Sequence, residues 1–177
     1  MSAGVQTAEV TDAAAVEAVR RTLALAAIAT DRMDWEQLRS RYEPDARVDL
    51  GGFFDGSIDE YIASNSSPEG LPSLDSTFHS LSTSLIEVSG SEAVAETYAT
   101  CYHHGPPDHA WCQGFVVIYM RFLDELVERD GTWRISRRRG AFEWGRNETT
   151  GTAMELDPST LSRRDRSDVR YSLFGDS

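Results

Sequence analysis

The side chains best suited to proton chemistry in this 177-residue chain are Asp31 and His79. Imidazole is the usual protein base near neutral pH, and a carboxylate bonded to one ring nitrogen fixes its tautomer and stabilises the imidazolium. Asp31 follows the expected end of a helix, where the negative end of the dipole makes a carboxylate a poor cap. A residue that breaks a local rule is a candidate for function. The plain alternatives are a solvated loop aspartate and a packed, hydrogen-bonded strand histidine. A third candidate is Arg138, the middle of three consecutive arginines. Alternate strand residues face opposite sides, so the three cannot share one environment. His103, His104, Asp108, His109 and Cys112 lie close together but match no zinc spacing, and no metal is expected.

The elements that must position these groups are legible in outline. Thr11 and Asp12 offer an N-cap, and Val16, Val19, Leu23 and Ala27 follow at helical spacing to about Thr30. Asp34 caps a second helix, with Gln37 in the capping-box position and Pro44 as its stop. A short strand is expected over 46–50, broken by Gly51-Gly52, and a third helix from Ser57 with Glu60 completing its box. Residues 65–72 read as loop. Strands are expected over 77–88, 93–104, 115–129 and 132–144, with Asp130-Gly131 as a hairpin turn. Helices first and antiparallel strands afterwards mean an α+β fold.

Hairpin register decides which side chains meet. A tight turn at Gly90-Ser91 pairs 88 with 93 and 85 with 96. Carried outward, that register sets His79 opposite Tyr102, on one face with Tyr98 and His104, while His103 points away. A different turn length swaps His103 for His104. The Asp130-Gly131 hairpin sets Asp124 opposite Arg137 and leaves Arg138 without an obvious partner, on the face of Ser136, Phe142 and Trp144. Trp133, Ile135, Phe122 and Leu126 then form an apolar patch on the opposite face, which needs cover from a helix or a partner chain.

Composition narrows the function classes. A net charge of −12 argues against nucleic acid or an anionic membrane as partner. No run approaches the roughly 20 apolar residues of a membrane span, and the N-terminus lacks a secretory pattern, so a cytoplasmic protein is the default. Two cysteines, Cys101 and Cys112, read as free thiols.

The combined pattern resembles the SnoaL-like branch of the nuclear transport factor 2-like superfamily. It runs from Thr30-Asp31-Arg32-x-Asp34-Trp35 through Phe78-His79, Ala93-x-Ala95-x-Thr97-Tyr98 and Arg121-Phe122-Leu123-Asp124. It ends in Asp130-Gly131-x-Trp133-Arg134-Ile135 and Arg138-Arg139. The resemblance implies a cone-shaped α+β barrel, a strongly curved antiparallel sheet wrapped over N-terminal helices, over residues 1–145. Residues 146–177 would be a polar tail or lid. It further implies a cofactor-independent lyase, cyclase or isomerase, most simply a dehydratase, acting on a small hydrophobic polyketide-, aromatic- or steroid-like substrate. In that reading Asp31 orients His79, Arg138 contacts the substrate, and Tyr102 or His104 protonates the departing group. Trp35, Phe54, Tyr98 and Phe142 would bind substrate. A homodimer or homotrimer is expected. The competing reading is a non-catalytic binding or assembly module of the same fold. The family's lyases often carry a Lys or Tyr one turn before the aspartate; Ala26 stands there.

Overall fold

The computed structural model describes residues 12–148, 157 and 161–174. Helix α1 (Ala13–Asp31) begins at Asp12, whose side chain accepts hydrogen bonds from the backbone N–H of Ala14 and Ala15. Its inner face is Val19, Leu23, Ala26 and Ala29, all buried, and the small alanines let the sheet approach closely. α2 (Trp35–Ser40) is capped by Asp34, which accepts from Gln37 N–H at 3.2 Å. The reciprocal capping-box bond is missing, since both polar atoms of the Gln37 side chain are buried without a partner. α3 (Ile58–Ser66) carries the full box, Ser57 with Glu60. A 3₁₀ turn follows at Leu71–Ser73, and a last helix, α4 (Val169–Phe174), lies in the C-terminal segment.

Six strands form one curled, unclosed sheet: β1 (Tyr42–Asp49), β2 (Asp55–Ser57), β3 (Ser76–Ser89), β4 (Glu92–Gly105), β5 (Gly114–Arg129) and β6 (Thr132–Glu148), in the order β2-β1-β6-β5-β4-β3. Every pairing is antiparallel except β1 with β6, which is parallel. Pro44 stops no helix. α2 has already ended at Ser40, and Pro44 sits in β1 where its register against β6 is irregular, a tolerated place for a residue without an N–H. α1 lies across the concave face, against β3 and β6.

Three bulges between β3 and β6 decide which side chains face the concave side, and the one at Glu143 turns Trp144 to the opposite face from Phe142 and Arg138. Near the turn, Val88 pairs with Ala93 and Leu85 with Glu96, as the turn dictates. Between Leu81 and Ser84 the register slips by one, so that Ser82 and Thr83 together oppose Tyr98. Ile86 and Leu81 therefore both point inward although they are five positions apart, an odd spacing. On β6, Leu126 pairs with Ile135 but Glu125 with Arg137, which makes Ser136 the extra residue. This shift sets Asp124, not Leu123, opposite Arg138, so the expected Asp124–Arg137 pair does not form. It also turns Trp133 and Ile135 onto the same concave side as Arg138. With Phe122 and Leu126 they are buried, and the Thr22 hydroxyl of α1 donates to the Trp133 carbonyl at 3.1 Å. The apolar patch expected to need cover is the protein's own core.

Candidate active site

Asp31 is the last residue of α1 and is 5% exposed. The chain turns sharply after it. Met33 adopts a left-handed conformation, φ 52°, and Asp34 N–H returns to the Ala29 carbonyl at 2.9 Å. The turn aims the Asp31 carboxylate at edge strand β3 and not at solvent. Oδ2 accepts the backbone N–H of His79 at 2.8 Å, and Oδ1 lies 2.6 Å from His79 Nδ1. The two contacts hold the ring and its backbone together, and leave Nε2 as the nitrogen free to meet a ligand. Burial opposes a charge on this imidazole. The hydrogen bond donated to Asp31, with contributions from the Cys101 thiol and the Asp31 charge, overcomes it and pushes the pKa up to about 10.

His79 opens onto a cavity of about 890 Å³. Its aromatic walls come from Phe53, Phe54, Tyr61, Trp111 and Phe142, and Met120 and Ile118 add apolar surface. Because of the bulge at Ser82-Thr83, His79 stands opposite Cys101, with His103 next along β4 on the same face. The expected partners Tyr102, His104 and Tyr98 share a face with one another, but it is the convex one. Tyr102 and Tyr98 are exposed. Tyr98 lies under the Arg121 guanidinium, and His104 stacks on Phe115 at 4.4 Å. None of these three lines the cavity. Trp35 does not line it either: it packs beside Leu71, Leu74 and Cys112. Phe54 and Phe142 do line it.

His103 and Cys101 are the residues that the simple register missed. The signal was present in the apolar spacing: Leu81 and Ile86 cannot both face inward on an unbroken strand. His103 packs edge-on to His79, ring centroids 5.9 Å apart, and to Trp111. Burial, and then the neighbouring His79, lowers its pKa to about 4, so at neutral pH it is an uncharged imidazole. Its buried Nδ1 has no hydrogen-bond partner among the described residues. Two adjacent histidines are thus tuned in opposite directions.

Arg138 lines the cavity with its guanidinium 4.3 Å from the Phe122 ring centre. It is not unpartnered. Nε and Nη2 donate to the two oxygens of buried Asp124, at 2.7 and 3.0 Å. Burial works against this cation, but the Asp124 charge more than restores it and holds its pKa above the ordinary arginine value. Of the sequence's histidine-rich loop, His109 is pinned structurally. Nδ1 accepts from Cys112 N–H at 3.2 Å, which leaves Nε2–H to donate to the Ser73 hydroxyl at 2.9 Å. Among the described residues no three His, Cys, Asp or Glu side chains converge as metal ligands.

The described part of the C-terminal segment braces the outside of this site. Arg164 donates to the carbonyls of Leu71 and Leu74, at 3.1 and 2.7 Å. Arg166 and Tyr171 both reach the Asp34 carboxylate, and buried Asp168 pairs with Arg32 at 3.3 Å. The remainder of the expected tail or lid, 149–156, 158–160 and 175–177, lies outside the described residues. No helix among the described residues is long and apolar enough to cross a membrane.

No curated protein matches the sequence. Solved structures match across most of the chain. A putative scytalone dehydratase from Novosphingobium aromaticivorans DSM 12444 is 18% identical, with a TM-score of 0.66, covering 85% of this chain and 96% of its own. The hexachlorocyclohexane dehydrochlorinase LinA-type3 from Novosphingobium barchaimii LL02 is 17% identical, with a TM-score of 0.70, covering 81% and 96%. A LinA Type2 dehydrochlorinase is 17% identical, with a TM-score of 0.68, covering 84% and 96%. At these identities the likeness is one of fold: the same curled sheet over helices. The family model of the SnoaL-like domain matches residues 11–139, more than half of the sequence, and the chain belongs to that family.

Proposed function

We propose that the protein is a cofactor-independent lyase of the dehydratase type, acting on a small hydrophobic ring-bearing substrate by proton transfer at His79. The observation that carries this reading is the 2.6 Å contact between Asp31 Oδ1 and His79 Nδ1, at the wall of an aromatic-lined cavity. A binding or assembly module gains nothing from a buried, doubly bonded carboxylate behind a cavity histidine, and burying such a pair is costly. Dehydratase and dehydrochlorinase names among the structural neighbours point the same way.

In this reading deprotonated His79 Nε2 takes a proton from carbon next to a carbonyl or similar activating group. Asp31 keeps Nδ1 protonated and steadies the imidazolium that forms. Neutral His103 offers a ring nitrogen to the substrate oxygen, and the Arg138 guanidinium, set by Asp124, stabilises negative charge that develops on the ligand. The C–O bond then breaks, its electron pair leaves with the hydroxyl, and the imidazolium returns the proton to it as water. Because the pKa of His79 lies near 10, the base form is a minority at neutral pH and grows with pH. The kcat/KM is therefore expected to rise about tenfold per pH unit above neutrality. The test is a panel of β-hydroxy ketones on aromatic or fused-ring frames, assayed by the absorbance of the conjugated product. Turnover that His79→Gln abolishes supports the reading. Turnover that the variant retains, or a rate that falls with rising pH, refutes His79 as the base.

A further inference from the structure

Cys101 is a buried nucleophile in the same cavity that the proposed reaction does not use. Its placement is unusually close. His79 and Cys101 are direct cross-strand partners, and the His79 backbone N–H is turned away from β4 toward Asp31 Oδ2. That makes them a non-hydrogen-bonded pair, the kind in which the two side chains on one face come nearest, Cα atoms about 4.5 Å apart. Asp31 occupies Nδ1, which leaves Nε2 as the other ring nitrogen, and His79 and Cys101 line the same cavity side by side. A carboxylate bonded to an imidazole thus stands beside a cross-strand thiol, the groups that an activated nucleophile requires. A second observation points to a ligand: His103, next along β4 on the same face, lines the same cavity, and its Nδ1 has no hydrogen-bond partner among the described residues.

We propose that Cys101 is a second reacting group of this cavity, a thiol that His79 deprotonates and that captures conjugated enones as thioether adducts. The ligand class rests on the dehydratase reading above, since elimination next to a carbonyl yields such a compound. The thiol proton passes to His79 Nε2. The sulfur electron pair forms a bond to the β-carbon, the C=C electron pair moves to the α-carbon and carbonyl as an enolate, and His79 returns the proton to the α-carbon. Nothing else is consumed. His103 Nδ1 and the aromatic walls suit the carbonyl and the flat ring of such a ligand. Cys112 is the built-in control. It is fully buried among Leu71 and Leu74 and does not line the cavity, its thiol donates to the Gly114 carbonyl at 3.7 Å, and burial raises its pKa.

The test uses the full chain and cyclohexenone as the probe, read by intact mass and peptide mapping. One adduct is expected, on Cys101, forming at least about tenfold faster than any on Cys112. Cys101→Ser should remove it. His79→Gln should slow it about tenfold or more; Asp31→Asn gives a second route to the same slowing should the first variant fold poorly. Labelling of Cys112 first, labelling of neither thiol, or an unchanged Cys101 rate in a folded His79→Gln or Asp31→Asn protein overturns the proposal. The reaction needs no turnover of a natural substrate. An adduct without elimination activity counts against the lyase alone, and elimination without an adduct counts against the thiol alone.

Discussion

The charge on His79 is the quantity on which most of the chemistry turns, and Asp31→Asn isolates it. The substitution keeps the shape of the side chain and one acceptor for the His79 backbone N–H, but removes the negative charge behind the ring. A shift from the ordinary 6.5 to about 10 corresponds to roughly 5 kcal/mol at about 1.4 kcal/mol per unit. Breaking one side of a buried ion pair costs about 3–5 kcal/mol by mutation, which is the expected size here. The sign follows from linkage. A folded-state pKa raised above the unfolded one stabilises fully below the unfolded value of 6.5, and that stabilisation is lost as pH rises through about 10. In the variant only the Cys101 thiol still opposes burial, so the pKa falls and the stability tied to a charged His79 shrinks. Denaturant unfolding of both proteins should show a gap of about 3–5 kcal/mol near pH 6 that narrows to about 1 kcal/mol, one neutral hydrogen bond, by about pH 10. Histidine-selective NMR titration should show His79 high in the parent and shifted well down in the variant. A gap that does not change with pH, or a His79 that titrates near 6.5 in both proteins, refutes the ion-pair account.

Other outcomes follow from the same geometry. Arg138→Met strands buried Asp124 and should cost about 3–5 kcal/mol, while the double change with Asp124→Leu should recover most of it; equal melting temperatures for parent and single variant would show that the pair contributes nothing. His103 has a folded pKa lowered to about 4, so its contribution is present above pH 6.5 and lost as pH falls toward 4. Replacing it with Gln should flatten the acid limb of a stability–pH curve by up to about 3 kcal/mol, and an unaltered limb would show that His103 takes up its proton as readily folded as unfolded. The convex face exposes Phe78, Tyr98, Tyr102 and Trp144, with Tyr119 stacked on Trp144 at 4.1 Å. We propose that a homodimer or homotrimer covers this surface; a monomer in light scattering at micromolar concentration would count against it.

Local chemistry was readable from the residues alone wherever neighbours in sequence decide the outcome. Asp12 and Ser57 cap their helices because their own side chains reach N–H groups two or three residues on. Asp130-Gly131 turns its hairpin because both residues adopt positive φ, at 53° and 74°. The register beside each turn follows in the same way, which is why Leu85 faces Glu96 as expected. The meeting of Asp31 with His79, 48 residues apart, came from matching their order and spacing to a family. What only the tertiary structure decided is which partners they have. A strand alternates faces with a period of two, so one extra residue reverses every side chain beyond it. The curled sheet takes such residues at Ser82-Thr83, at Ser136 and at Glu143. The first exchanges Tyr102 and His104 for Cys101 and His103 in the cavity. The second gives Arg138 the aspartate that local pairing assigned to Arg137. A bulge bends its strand and belongs to the pairing of two strands, so no local preference of serine or threonine specifies it.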